Sequence, residues 1–469
     1  MSSPPTHSCQ SGIDVPTACM AHPAVVKNIR KVIKDGGILS VADARLAREA
    51  GLLSITPIDR PGLNDGTIYP PRELNGPMLS GMPAGMRPSR KLARQKPSGA
   101  LHCLVLLVDF SDNPGTQQPS HFDTLLFDPN NPNSMHSFYK DISNAKLNVT
   151  GTVTNWIRAP QTYAYYTAGA SGTGSNFPHN TPGLLQDILT LYCATNSLAP
   201  FDQNSDGYVD GLFLVHAGSG AEVEPNPTQR PNLIWSHKWT LNQPFVNGKV
   251  QAFAYFTAPE DGRLGVFSHE FGHFLGLPDL YDTSYRSHGI GRWCLMAGGS
   301  WNGSGNQPAR MSAWCLAELG WIKPVDVKGT LNVTLDTLEN KPGDCYRLFD
   351  KGKKSGEYFL VENRQRAGRD IGLPGNGLAL WHIDDSQSDN SNARSYRVGL
   401  VQADGRRDLE LNRNDGDPGD LFPGSGKVGS VTSGATAQPN TILNSGLPSS
   451  VSVTGISETR GIITATLFA

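Results

Sequence analysis

One segment constrains this chain more than any other: VFSHEFGHFLGLPDLYD, residues 266–282. His269 and His273 stand four residues apart, which on a helix puts both imidazoles on one face, within reach of a single ion, with Glu270 beside them. Gly276 can take the left-handed conformation that ends a helix, and Pro278 prevents the helix from resuming. The chain must therefore turn, and the turn can bring Asp279 back under the metal. Asp279 is the expected third ligand. Asp282 is the near alternative, and Glu318 on a separate downstream helix is the other available carboxylate. A catalytic zinc takes three protein ligands and keeps a position for water, and a carboxylate next to that water can accept its proton and pass it to a leaving amine. The spacing supplies both parts, with Glu270 as general base and acid. By composition alone HExxH arises in roughly one chain in a hundred, and HExxHxxGxxD in about one in ten thousand, so the longer motif carries the inference.

The rest of the chain gives this motif a setting. At 469 residues it exceeds what one core usually organises. AVVKNIRKVIKDGG (24–37) and VADARLAREAGLL (41–53) have helical spacing, so residues 1–55 are expected to form a small helical unit. Residues 56–99, rich in Pro, Gly and Met, read as a linker. It carries the basic stretch RPSRKLARQK (87–96), a candidate processing site. LHCLVLLVDF, from Leu101, is a continuous apolar run of the kind a buried central strand needs. From there helices (SMHSFYKDIS, TPGLLQDILTLYCATN) and strands (LNVTGTVTNWIRA, VDGLFLVHAG, KVQAFAYFTA) interleave up to the motif, an α/β pattern assigned to 100–323. The strand KVQAFAYFTAP is expected to line the cleft and align a peptide through main-chain hydrogen bonds. Residues 324–469 are strand-rich and form a predicted β-rich C-terminal domain.

With these residues in view, the sequence resembles the metzincin clan of metallopeptidases and, within it, the immune inhibitor A family, where HExxHxxGxxD occurs as it does from His269 to Asp279. WCLMAGGSWNG resembles the clan's methionine turn, which implies that Met296 forms an apolar floor beneath the metal ligands. The likeness extends from LVLLVDFSDNP through IWSHKW to SAWCLAELGWI, and less tightly into EYFLVENRQ and ADGRRDLELNRNDGDPGDLFPG. It implies a metzincin-like α/β catalytic domain, a short helical propeptide-like segment before it, and a zinc endopeptidase made as a zymogen and acting on proteins or peptides. It also implies an extracellular setting, whereas MSSPPTHSCQSGID has neither the charged nor the apolar part of a secretory signal, so location stays open.

FDQNSDGYVDG offers a second metal pattern. Asp202, Asn204, Asp206, Tyr208 and Asp210 occupy alternating positions around Gly207, as in the first nine positions of a calcium loop. Phe213 stands where a bidentate Glu would close the loop, so a structural calcium is expected instead of a sensor site. The family's bound calcium supports the same reading. Asp415, Asp417 and Asp420 form another acidic group whose spacing matches no known loop, and a solvated turn is the expectation. Seven cysteines without CxxC spacing build no zinc site of their own. Cys9 and Cys19 read as a disulfide or surface thiols, with capping of the zinc in a latent form the sharper alternative. With 40 basic against 42 acidic side chains, nothing points to nucleic acid. No run is long and apolar enough to expect membrane insertion. The rival reading from another functional class is a calcium-stabilised binding protein with a vestigial zinc site.

Overall fold

A computed structural model of the chain describes residues 17–18, as backbone, and 96–469 apart from 206, 227, 284 and 435–437. The helices expected over 24–53, nearly all of the linker, Cys9, Cys19 and Asp206 lie outside the described residues.

The apolar run becomes β2 (Gly99–Asp109), and its composition has a direct cause. Parallel β3 (Leu147–Val153) and β4 (Ile157–Arg158) flank it on one side, and parallel β5 (Leu212–His216) on the other. Both of its faces are covered. Cys103, Val105 and Leu107 point into one hydrophobic cluster, and Leu104, Leu106 and Val108 into a second. Strands buried on two faces read as unbroken hydrophobic runs. Helix α1 (Met135–Ile142), capped by Ser134 Oγ accepting from Ser137 N, packs on the first face. Helix α2 (Thr181–Cys193), capped by Asn180 and started by Pro182, packs on the second.

Beyond β5 the sheet continues through β7 (Val250–Pro259) to antiparallel β6 (His237–Asn247). One expectation is corrected here. The strand predicted to align a peptide is β7, yet it lies inside the sheet, paired with β5 over Phe256–Pro259 and with β6 within Val250–Thr257, so it is not an edge that a peptide could extend. The strand on that flank is β6, and the backbone of β1 (Thr17–Ala18) pairs antiparallel with its first two residues, Thr17 opposite Lys238 and Ala18 opposite His237.

After β7 comes helix α3 (Leu264–Phe274), and later the short α4 (Ala313–Glu318). The remainder is strand-rich, giving a mixed α/β molecule with several sheets and few helices. One sheet contains β8 (Val325–Asp326), β10 (Tyr346–Leu348), β11 (Glu357–Arg364), β12 (Gly377–Asp384) and β13 (Val398–Leu400). The other contains β9 (Thr330–Leu335), β14 (Val431–Thr432), β15 (Ser452–Thr459) and β16 (Ile462–Phe468). One face of the first sheet, through Tyr358, Leu360, Trp381 and Ile383, joins the cluster that holds Phe267, Phe271 and Met296. The opposite face, through Phe359, Val361, Leu378 and Leu380, packs on Val453, Ile463 and Leu467 of the other. The apolar core therefore runs continuously across residue 323.

Candidate metal centre

Helix α3 is buried along nearly its whole length, and its close seating depends on glycine. A Cβ on Gly265 would stand 1.9 Å from the Ser300 carbonyl oxygen, and one on Gly272 would stand 2.5 Å from Met296 Sδ. The helix thus lies directly on the 298–305 turn and on Met296. Tyr139 Oη donates to the Ser268 carbonyl at 2.6 Å and holds α3 against α1.

The helix stops as its sequence requires. Gly276 takes φ +95°, Gly276 N donates to His273 O at 2.8 Å, and Leu277 N donates to Gly272 O at 3.1 Å. These two bonds are the pair that closes a helix on a left-handed glycine and turns the chain back. The reversal carries Asp279 against the histidines. His269 Nε2 and His273 Nε2 are 3.0 Å apart, and Asp279 Oδ1 is 3.2 Å from the first and 3.0 Å from the second. The two alternatives lie elsewhere. Asp282 is buried with Oδ2 accepting from Ser287 Oγ at 2.6 Å, and Glu318 is exposed at the end of α4.

The remaining ring nitrogens define what the donor set can hold. His269 Nδ1 donates to the Leu295 carbonyl and His273 Nδ1 to the Leu277 carbonyl, each at 2.8 Å. A carbonyl only accepts, so in the neutral rings the proton sits on Nδ1 and the Nε2 lone pairs face each other and Asp279. Lone pairs and a carboxylate converging in a dry site repel unless a cation or protons lie between them. Burial works against a charged His269, but the hydrogen bond and charge of Asp279, helped by Glu270, raise its pKa to about 9. Burial likewise opposes ionisation of Asp279, and the two histidines overcome it and hold the carboxyl well below its ordinary range. The spacing suits a small ion, since three donors about 2.0–2.1 Å from a tetrahedral zinc stand roughly 3.3 Å apart. Two imidazoles oriented by carbonyls plus one carboxylate are a donor set that zinc accepts.

Glu270 lies on the same helix, fully buried, between the two histidines in sequence. Met296, also fully buried, sits below. Its carbonyl accepts from Leu280 N at 2.7 Å, which fixes the strand of chain that carries Asp279. The same floor is tied to the C-terminal half. Arg364, bonded through both Nε and Nη2 to Asp370 at 2.8 Å, donates to the Trp293 carbonyl at 3.0 Å.

Neither spacing nor composition singles out Lys238 in the sequence. It lies on β6, is mostly buried, and its Nζ donates to the His273 carbonyl at 3.0 Å, joining the outer strand to the end of α3. The stretch IWSHKW was the available signal, noted only as part of a likeness. His216 and His237 are buried, and desolvation lowers each pKa to about 4 despite hydrogen bonds to backbone carbonyls, so both are neutral structural residues.

In the other predicted loop, Asp202 Oδ2 accepts from Gly207 N at 2.9 Å, and Asp210 accepts from Gln203 N at 2.6 Å and Asn204 Nδ2 at 2.7 Å. Tyr208 forms a backbone bridge with Gln251. In the third acidic group Asp404 takes the place expected of Asp415. The carboxylates of Asp404, Asp417 and Asp420 approach one another, while the Asp415 carbonyl accepts from Arg292 N.

Comparison with known proteins agrees on the region that carries this centre. Residues 100–320 match the model of the immune inhibitor A peptidase M6 catalytic domain. The chain is 33% identical over 261 residues to immune inhibitor A of Bacillus thuringiensis subsp. alesti, covering 45% of this chain and 38% of that protein. It is 32% identical over 265 residues to the pre-pro-metalloprotease PrtV of Vibrio cholerae serotype O1 (strain M66-2), covering 45% of this chain and 28% of that one. The alignments thus span well under half the length of these relatives. Residues 100–320, where His269, Glu270, His273, Asp279 and Met296 all lie, are thus similar to the catalytic domain of the immune inhibitor A peptidases, the M6 family.

Proposed function

We propose that this chain is a zinc-dependent endopeptidase that hydrolyses peptide bonds within proteins. The observation that carries the reading is the triangle of His269 Nε2, His273 Nε2 and Asp279 Oδ1, 3.0–3.2 Å on a side, with Glu270 on the same helix. These three residues would hold the zinc, which when bound supplies Lewis-acid polarisation of the scissile carbonyl and of the attacking water. Glu270 accepts the proton of that water and delivers it to the leaving amine nitrogen. The Leu277 and Leu295 carbonyls keep both imidazoles in the required tautomer and orientation. An extended substrate is aligned by main-chain bonds to β6, the strand beside the end of α3. Helix, glycine turn, carboxylate and underlying methionine together support the metzincin-like form of the site.

The reading includes synthesis as a zymogen. What supports it is β1, because Thr17–Ala18 occupies the backbone of β6 at His237 and Lys238, where an extended substrate would pair. It also includes a structural calcium at Asp202, Asn204, Asp206, Tyr208 and Asp210, supported by the turn of Asp202, Asn204 and Asp210 around Gly207.

The deciding experiment is hydrolysis of an unfolded protein by the Glu270→Ala variant, with zinc measured in the same sample. Retained zinc with a rate lowered about 10²–10⁴-fold is expected. An unchanged rate ends the assignment of Glu270, release of single amino acids would contradict internal cleavage, and a wild-type protein purified without zinc would favour a binding protein with a vestigial site.

A further inference from the structure

The loop between β13 and β14 carries a side-chain cluster that the proteolytic reading does not use. One carboxylate oxygen each from Asp404, Asp417 and Asp420 lies within 4.8 Å of the other two. Asp420 is 1% exposed. Its Oδ2 accepts from Trp293 Nε1 at 2.9 Å and Asp417 N at 3.0 Å, while its Oδ1 is buried with no hydrogen-bond partner among the described residues. Among the described residues, the basic side chain that reaches the cluster is Arg406, 3.5 Å from Asp404 Oδ2 and itself 66% exposed. A solvated guanidinium at that distance does little to offset three carboxylates. An orphaned carboxylate oxygen inside the protein, next to two further acids, is costly unless a cation meets it.

The backbone is built around the cluster. Asp404 N donates to Gly419 O and Ala403 N to Asp420 O, so two distant stretches of chain are paired where the acids meet. Gly419 N donates to Asp417 Oδ1 at 2.6 Å. A Cβ on Gly419 would stand 2.8 Å from Asp404 Oδ2 and 2.9 Å from Asp417 Oδ1, so the absence of a side chain leaves the space between the carboxylates open.

We propose that Asp404, Asp417 and Asp420 bind a hard divalent cation of the calcium class. Three oxygens bound to one calcium at 2.3–2.6 Å stand up to about 4.5 Å apart, close to the spacing of these carboxylates, all within 4.8 Å of one another, and a site made only of oxygens suits calcium over zinc. The ion braces the floor of the zinc centre. Asp420 holds Trp293, Asp415 O accepts from Arg292 N at 2.8 Å, and Leu409 O accepts from His288 N at 2.9 Å, so one loop grips the chain between Asp279 and Met296 at three points.

The inference does not rest on proteolysis, and metal binding alone tests it. The full chain carrying Asp210→Asn, which removes the other predicted calcium loop, is compared with the same chain carrying also Asp417→Asn. Calcium per chain, measured by mass spectrometry after dialysis against calcium, is expected to fall by about one ion, and the rise in melting temperature on adding calcium is expected to vanish. Terbium emission excited through tryptophan should fall severalfold when Trp293→Phe is introduced. Should Asp417→Asn fail to fold, Gly419→Ala takes its place. Equal calcium content in the paired chains, or terbium emission that Trp293→Phe leaves unaltered, overturns the proposal.

Discussion

The two clusters differ in how their donors come together. His269, His273 and Asp279 fall within eleven residues and are assembled by one helix and one glycine turn, so the sequence itself dictates their 3.0–3.2 Å spacing. Asp404, Asp417 and Asp420 meet only because the stretch at 403–404 pairs with that at 419–420. The first set joins two imidazoles to one carboxylate, a match for a small borderline ion, whereas the second joins three carboxylates within 4.8 Å, a match for a larger, hard one. Local geometry makes a tight site that spacing announces. Tertiary geometry makes a wider one that spacing conceals.

The two centres are expected to respond to different substitutions, and the largest expected effect is at Asp279. Replacing it with Ala removes the proposed third ligand, and zinc affinity should fall more than about 100-fold, beyond the cost of losing an outer hydrogen-bond partner. Calcium content should stay unchanged. Zinc retained in Asp279→Ala and lost in Asp282→Ala would overturn both the ligand set and the comparison built on it.

A pair of glycines sharpens the contrast at smaller energies. At Gly265 an added Cβ meets a backbone oxygen, Ser300 O at 1.9 Å, which cannot swing aside. At Gly419 it meets carboxylate oxygens on rotatable side chains. Alanine would favour helix α3 by about 1 kcal/mol over glycine. Overpacking against a fixed backbone costs about 1–3 kcal/mol or more, so the clash outweighs the gain. Gly265→Ala is therefore expected to melt lower whatever metal is present. Gly419→Ala should melt like the parent chain without calcium and, in the Asp210→Asn background, lose only the calcium-dependent increment. Melting curves with calcium and with chelator separate the two, and equal behaviour would erase the distinction.

What the sequence disclosed follows the same division. The run Leu104–Val108 announced a strand buried on both faces, and HExxHxxGxxD announced a helix, its stop and the returning carboxylate, because each is a property of neighbouring residues. Strand β6 was not visible. It contains Pro244, its burial does not alternate cleanly, and its register with β7 shifts between Thr240 and Phe245, which breaks the period-two pattern. The role given to β7 failed for a related reason, since which strand ends a sheet is a matter of topology. Nearness in sequence groups Asp415 with Asp417 and Asp420. Asp404 displaces Asp415 only once the backbone pairing is known. Nor did the change in composition near residue 323 reveal that the apolar core passes through it, since sheet faces are assigned by packing.

The smallest expected effect concerns the floor that the two regions share. Met296 is fully buried, its sulfur lies where a Cβ on Gly272 would fall, and its neighbour Leu295 supplies the carbonyl that orients His269. The sulfur lies in an apolar cluster, where a thioether contributes shape and apolar surface. Met296→Leu keeps nearly the same volume, and such exchanges in a packed core usually cost under about 1.5 kcal/mol. Zinc content is expected to stay at the wild-type level and the hydrolytic rate within a few-fold, with a modest fall in melting temperature. Loss of zinc from that variant, with the fold intact by circular dichroism, would show that the thioether does more than fill space. The bracing of Trp293 by Asp420, three residues away, would then bear on the metal through Met296 instead of on stability alone.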